Sequence, residues 1–390
     1  MVLRALRFFG VLYVVLCVSV TQQSFANFES SASHAILMDS ETNSVLYEKK
    51  ADELMYPASM SKLMTLALVF REMSSGKLKL DDEIFISVNA WRNGGAPSRT
   101  SAMFASVKSK VSLKDILQGI VVQSGNDASI AIAEAMYGSE QAFAEEMTKL
   151  ARELGLSKSI FSNATGLPSP NHKMTARELA ELSIYLIKTY PEYYTYFAQK
   201  EFKYKRYRFI NRNPLLSQNI GVDGLKTGFV KDAGYGITIS AKRGDRRLVA
   251  VINGLKSKKE RTSEARRLLE WGFRSFKSFR LFNPDETVGY IRVWGGEKTY
   301  LPLTGDENGV NIYLPRIGDS RLRASIVYDG PLKTPIKKGQ KVASLRIRTQ
   351  GSTSTQVPLY AAETVKPSGF IWQGIDSLIF LAFGWLYHAI

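Results

Sequence analysis

The chain predicts an α/β (α+β) protein, with an antiparallel sheet flanked by helices and a small all-β domain behind it. Three observations carry this. Strand-like runs near residue 35 and again after 222 enclose a long stretch of helical periodicity. After Asn283-Pro284 the pattern changes to short alternating runs separated by Gly, Pro and Asp. The 390 residues suffice for two to three domains, and 45% hydrophobic with 23% charged residues is ordinary for a folded chain, which excludes wholesale disorder. The mean hydropathy of −0.12 excludes a polytopic membrane protein.

The elements follow in order. Arg4 and Arg7 precede an apolar run from Phe8 to Val20, and Ser24-Phe25-Ala26 supplies small residues for cleavage. Residues 1–26 therefore read as an export signal, with an uncleaved anchor as the alternative. Ala35 to Met38 and Val45 to Tyr47 flank a turn at Asp39–Asn43, which predicts a hairpin. Helical spacing covers Ser59–Phe70, 112–122, 126–137, 140–154 and 175–189, with a break at Ser124-Gly125-Asn126. Strand patterns occupy 222–230, 235–242 and 247–253, and an amphipathic helix spans 261–276. A sheet assembled from both ends of this unit, residues 27–278, follows. The β-rich unit spans 283–366, with runs at 288–294, 298–303, 310–315, 322–328, 342–347 and 356–361. It carries no cluster of nucleophile, base and acid.

Residues 367–390 form the last segment. From Gly369 onward Asp376 is its only charged residue, and Ile371, Ile375, Leu378, Ala382 and Trp385 recur at helical steps. Trp372, Trp385 and Tyr387 suit a membrane interface, so an in-plane anchor helix is expected, with a terminal helix packed on its own domain as the alternative.

Lys and Arg number 52 against 36 Asp and Glu, a formal charge of +16. The excess suits an anionic partner or serves solubility alone. Cys17 is the only cysteine, and His34, His172 and His388 are the only histidines. Disulfide frameworks, Cys/His zinc sites and CxxC redox centres are excluded by count, and no cofactor is expected. Lys200 to Arg212 interleaves basic and aromatic residues. On an exported protein this suits an anionic wall polymer or lipid, not nucleic acid, and a plain solvated strand face is the alternative.

Three short motifs carry chemistry. In Pro57-Ala58-Ser59-Met60-Ser61-Lys62, Ser59 and Lys62 stand three apart at a helix start, on one face. A serine needs a base, and a lysine serves as one only when its pKa is depressed. The polarised first turn and a second cation would both depress it. Ser124-Gly125-Asn126 offers a hydroxyl and an amide between two helices. Lys226-Thr227-Gly228 lies on a strand, where Gly permits close approach of a ligand. Taken singly, each motif also occurs as an ordinary helix start, turn or strand.

Together, in this order and context, the three resemble the active-site serine penicillin-recognising enzymes. The segments PASMSKLMT (57–65), QSGNDA (123–128), NATGLPSPNHKMTARELA (163–180) and VDGLKTG (222–228) are similar to the D-alanyl-D-alanine carboxypeptidases, the low-molecular-mass penicillin-binding proteins. The resemblance covers nearly the whole mature chain. It implies a transpeptidase-like catalytic fold and acyl transfer from a peptidoglycan stem pentapeptide through Ser59, with Lys62 as base. It further implies Ser124 and Lys226 as proton and charge carriers, Asn126 as substrate holder, and an oxyanion hole from the backbone of Ser59 and Phe229. Thr227, Gly228, Arg212 and Arg261 would line the substrate site, the two arginines meeting the terminal carboxylate. Phe229 departs from relatives that carry a polar His there. The implied partners are peptidoglycan stem peptides, β-lactam inhibitors and an anionic membrane surface, and the implied location is the periplasmic face of the cytoplasmic membrane.

Other readings share these residues. A class A β-lactamase would add Glu-x-x-Leu-Asn, which the chain lacks, so a stable penicillin adduct is expected. A D,D-endopeptidase would use the same set. A wall-binding scaffold would be expected to have lost at least one motif residue. His172 reads as a structural residue at a loop-to-helix junction, since no GxSxG elbow is present.

Overall fold

The computed structural model describes residues 28–315, 322–330, 332–349, 355–370 and 374. The expected export signal lies outside the described residues, as do 371–373 and 375–390 of the expected anchor helix. Among the described residues, no helix is long and apolar enough to cross a membrane.

The expected hairpin is present as β1 (His34–Asp39) and β2 (Val45–Lys49). Its turn is closed by the Asp39 side chain, whose Oδ1 accepts from the Thr42 N–H at 3.0 Å. A single 3₁₀ turn, Ala58–Ser61, then leads into α1 (Lys62–Ser74). Every residue of α1 from Lys62 to Phe70 is buried. A helix apolar all round belongs inside the core, and this one runs through it.

Strand β3 (Glu83–Phe85) pairs with β4 (Lys110–Ser112). Next come α2 (Leu113–Gln118), a π turn at Gly119–Gln123, α3 (Asn126–Tyr137), α4 (Glu140–Glu153), α5 (Ala176–Thr189) and short α6 (Pro191–Tyr194). Ser112, Ser139 and Thr175 each cap a helix by accepting the N–H three residues on. The hairpin of β5 (Glu201–Tyr204) and β6 (Tyr207–Ile210) precedes three long strands. These are β7 (Val222–Val230), β8 (Gly234–Arg243) and β9 (Arg246–Leu255). Helix α7 (Lys258–Ser275), capped by Ser257, starts three residues before the sequence pattern suggested, so Arg261 sits within its second turn and not at its start.

The main sheet has the order β2-β1-β9-β8-β7 and is antiparallel throughout. It joins the first strands to the last, as expected. Both faces are covered, and the period-two alternation decides which side chain goes where. Ile36, Val249 and Val251 join the core built on α1 to α5, whereas Leu37, Leu248, Ala250 and Ile252 pack under Ala265, Leu268 and Leu269 of α7.

Strand β10 (Phe276–Phe282) continues directly from α7, an element the sequence pattern did not reveal. The β-rich unit adds β11 (Gly289–Trp294), β12 (Tyr300–Thr304), β13 (Val310–Pro315) and β14 (Leu322–Val327). It ends with β15 (Leu332–Lys333), β16 (Lys341–Thr349) and β17 (Thr355–Ala361). Its sheet order is β14-β16-β17-β12-β11-β15, with β10 paired to β13 beside it. A separate core forms here around Val293, Leu303, Ile312 and Leu359. Arg246 links the two units: its Nε donates toward fully buried Asp39 at 3.3 Å, and its guanidinium stacks over the Tyr313 ring at 4.2 Å.

Candidate active site

Ser59 lies in the 3₁₀ turn that opens the buried helix α1, so Lys62, one turn on, is carried below the surface with it. Ala58 just before has φ +49°, a left-handed conformation that costs a residue with a Cβ about 1 kcal/mol. Strand β7 presses on this turn. A Cβ at Gly228 would stand 2.8 Å from the Pro57 carbonyl oxygen, so only glycine lets the strand approach this closely.

Lys62 is fully buried. Its Nζ lies 3.1 Å from Ser59 Oγ and 2.7 Å from Asn126 Oδ1, and it also meets the Thr165 carbonyl. The amide and the carbonyl oxygen only accept, so they take two N–H groups. A neutral amine then has its lone pair left for the Ser59 hydroxyl. Burial is the main force toward that neutral form, and the Arg212 charge adds to it, while Glu140 and Asp127 oppose it. The outcome is a Lys62 pKa of about 7. Arrangement and protonation state together allow Lys62 to accept a proton from Ser59 near neutral pH.

The Thr165 carbonyl is aimed by its own turn. Asn163 Oδ1 accepts from the N–H groups of Thr165 at 3.1 Å and Gly166 at 2.7 Å. Gly166 has φ +76°, and a Cβ there would meet the Ala58 carbonyl oxygen at 2.1 Å. Glu140, at the start of α4, accepts from the neighbouring Ala164 N–H at 3.0 Å. In the sequence, the segment 163–166 stands out only by its likeness to the carboxypeptidases. That its backbone would cradle the lysine, and that Glu140 would brace it, left no mark in residue type.

The π turn after α2 ends at Ser124, which has φ +63°. This places the Ser124 hydroxyl in the interior, where among the described residues its Oγ is buried without a hydrogen-bond partner. Asn126 begins α3, holds Lys62 with its carbonyl oxygen and donates from Nδ2 to Thr100 Oγ1 at 2.8 Å. Asp127, not singled out in the sequence, accepts from the Met103 and Ala105 N–H groups at 2.9 and 3.1 Å. It thereby pins the strip 101–105 along the site.

On β7, Lys226 is 2% exposed, and burial followed by the charges of Lys62, Arg212 and Arg261 drives its pKa well down. Thr227 is buried beside it. The Phe229 ring is 52% exposed and packs on Tyr235 at 4.3 Å between centroids. Arg212 Nη1 donates to Ser101 Oγ at 2.8 Å. Arg261 Nη2 donates to the Arg212 carbonyl at 3.2 Å, and burial next to Arg212 lowers its pKa to about 10. His172 packs edge-on against Phe161, its Nδ1 accepts from the Ser162 N–H at 3.2 Å, and burial takes its pKa to about 4. It is neutral and held in packing at the start of the approach to α5.

A serine beside a buried lysine, with an amide, a second buried lysine and an arginine around them, is a constellation for acyl transfer to water. Residues 19–257 match the family profile described as D-alanyl-D-alanine carboxypeptidase, and 276–367 match the penicillin-binding protein 5 C-terminal domain. The chain belongs to the D-alanyl-D-alanine carboxypeptidase family. It is 38% identical to the D-alanyl-D-alanine carboxypeptidase DacC of Escherichia coli over 90% of this chain and 88% of that one. Penicillin-binding protein 5 from Haemophilus influenzae superposes with TM-score 0.72 at 32% identity, covering 87% of this chain and 99% of that one. Penicillin-binding protein D2 from Listeria monocytogenes, solved in its ampicillin-bound form, superposes with TM-score 0.56 at 29% identity, over 64% of this chain and 99% of that one. The carboxypeptidase family is one of serine hydrolases, and this chain is a serine hydrolase of that family with its sheet-rich second domain.

Proposed function

We propose that this protein is an exported, membrane-attached serine D,D-carboxypeptidase that trims peptidoglycan stem pentapeptides during wall remodelling and cell-shape maintenance. The observation that carries the reading is the buried Lys62 amine, 3.1 Å from Ser59 Oγ. In this reading Lys62 takes the Ser59 proton as Oγ bonds to the carbonyl carbon of the penultimate D-Ala. The N–H groups of Ser59 and Phe229 receive the oxyanion, each donor lowering the barrier by about 3 kcal/mol. The C–N bond then breaks as Ser124 relays the proton from Lys62 to the leaving D-Ala amine, and Lys62, neutral again, takes a proton from the water that cleaves the ester and returns it to Ser59 Oγ.

Lys226, Thr227 and Gly228 form one wall of the site, and Asn126 holds the substrate amide. Arg212 meets the terminal carboxylate, while Arg261 steadies the Arg212 backbone and adds positive charge. β-Lactams acylate Ser59 by the same attack. Residues 27–278 form the catalytic domain, 283–366 a positioning domain, and 367–390 an anchor helix on the outer face of the cytoplasmic membrane.

The test is D-alanine release from a peptide ending in D-Ala-D-Ala, followed by penicillin labelling. Release and a long-lived adduct on intact protein, both lost in Ser59→Ala, are expected. An adduct that disappears within seconds would move the reading toward a β-lactamase. Well-folded protein that releases no D-alanine would move it toward cross-linked substrate.

A further inference from the structure

We propose that the outer face of the β5–β6 hairpin docks the carboxylate-bearing wall polymer whose peptide ends enter the active site. The inference rests on the reading of that site as acting on wall peptides. From Lys200 to Arg212 inclusive there are six Lys and Arg against the single acid Glu201. The fold sorts this run by its period of two. Phe202, Tyr204 and Phe209 turn inward and are buried, whereas Lys203, Lys205, Arg206 and Arg208 are exposed. The rings are therefore in the core, which removes the stacking platform that single-stranded nucleic acid needs.

Two facts set this face apart from a merely solvated one. Lys203 and Arg208 are direct cross-strand partners. Like charges directly opposite destabilise a sheet, and Glu201 offsets only one of them, through Arg208 at 2.5 Å. The hairpin is also fastened to the rim of the site. Phe104 packs on Tyr207 at 4.9 Å, and Lys205 Nζ donates to Ser106 Oγ at 3.1 Å. Met103 and Ala105, either side of Phe104, are the residues pinned by Asp127 beside Asn126. The cationic face is thus fastened to the strip 101–106 that runs along the site. Its occupant is accordingly the carboxylate-bearing wall polymer, which the exposed cations Lys203, Lys205, Arg206 and Arg208 complement against the one acid Glu201. A lipid surface fits less well, because Ile210 is the one apolar side chain on the outer face of the two strands.

The experiment compares the full-length protein with Lys203→Glu/Arg206→Glu and with Lys337→Glu/Lys338→Glu. The second pair changes net charge equally at exposed positions of the β-rich unit. Co-sedimentation with purified insoluble peptidoglycan at low salt is expected to fall about fivefold or more in the hairpin variant and to change little in the other. Salt near 0.5 M should weaken wild-type binding. D-Alanine release from a short peptide should stay within about twofold of wild type in the hairpin variant, while KM on polymeric substrate rises with kcat held.

Equal loss in both variants would reduce the effect to net charge and overturn the proposal. Loss of binding to anionic phosphatidylglycerol vesicles, with peptidoglycan binding intact, would overturn it in favour of a membrane face. If the Glu variant fails to fold, Lys203→Ser/Arg206→Ser decides by the same criteria. Wild-type protein that turns over neither substrate would sink the reading of the site. Sedimentation needs no turnover and would still decide the docking.

Discussion

A lysine in water is protonated at neutral pH and has no lone pair to offer, so the chemistry of Lys62 depends on where the chain puts it. Burial is the larger effect and the Arg212 charge the smaller one, with Glu140 and Asp127 pulling the other way. The sign of the pH dependence follows. Below a pH of about 7 Lys62 is an ammonium, so acylation of Ser59 by a β-lactam should slow as pH falls through that value. Arg212→Ala removes a cation, raises the Lys62 pKa and should move the acid limb to higher pH, on the order of half a pH unit. Glu140→Gln removes an anion and should move it down by a similar amount, since the amide oxygen can still take the Ala164 N–H. Stopped-flow acylation across pH 5 to 9 checks both, and shifts in the same direction would refute the account. His172 and Lys226 also face this lysine, but neither stabilises its ammonium form, because both have pKa values lowered by burial and by Lys62 itself.

Elements matter here through how closely they approach. The buried helix α1, the π turn before Ser124, and β7 bring three separated motifs to one point, and two glycines set the spacing. Gly228→Ala forces a Cβ to within 2.8 Å of the Pro57 carbonyl. Overpacking of this kind costs roughly 1–3 kcal/mol, so a fall in Tm of several degrees is expected, with slower acylation because the Ser59 turn is displaced. Thermal unfolding and penicillin labelling read these two effects separately, and unchanged values in both would show that β7 can retreat freely. The helix starts were legible because Ser and Thr caps and apolar spacing are local signals. The π turn was not. Gly119 to Gln123 reads as ordinary helix, and nothing in its residue types marks the left-handed Ser124 that follows.

Across the whole molecule, Arg246 joins the sheet to the β-rich unit. Its partner Asp39 is fully buried, and burial raises the Asp39 pKa even with the guanidinium beside it. Arg246→Ala would leave that carboxylate unpaired and remove the stack on Tyr313. Breaking a buried pair by deleting one partner costs roughly 3–5 kcal/mol, so a marked loss of thermal stability is expected. A Tm within a degree of wild type would show that Asp39 is relieved another way. At the far end, deleting the residues after 366 should move the protein from the membrane fraction to the soluble one. A truncated protein that stayed with membranes would remove the anchor from the proposal.

The sequence by itself determined the order of the main helices and long strands, the mixed architecture and the three motifs, because spacing, caps and turn residues act over a few neighbours; β10 and the short hairpins lay outside its reach. It also determined the resemblance that placed Ser59 and Lys62 at the centre. Tertiary structure alone decided that Lys62 would be dry enough to serve as a base and that the Thr165 carbonyl and Glu140 would surround it. It also decided that Arg261 would hold the backbone of Arg212, and that the basic-aromatic run would hide its rings and expose its charges. Burial and electric field are sums over groups far apart in the chain, and no short stretch of residues records them.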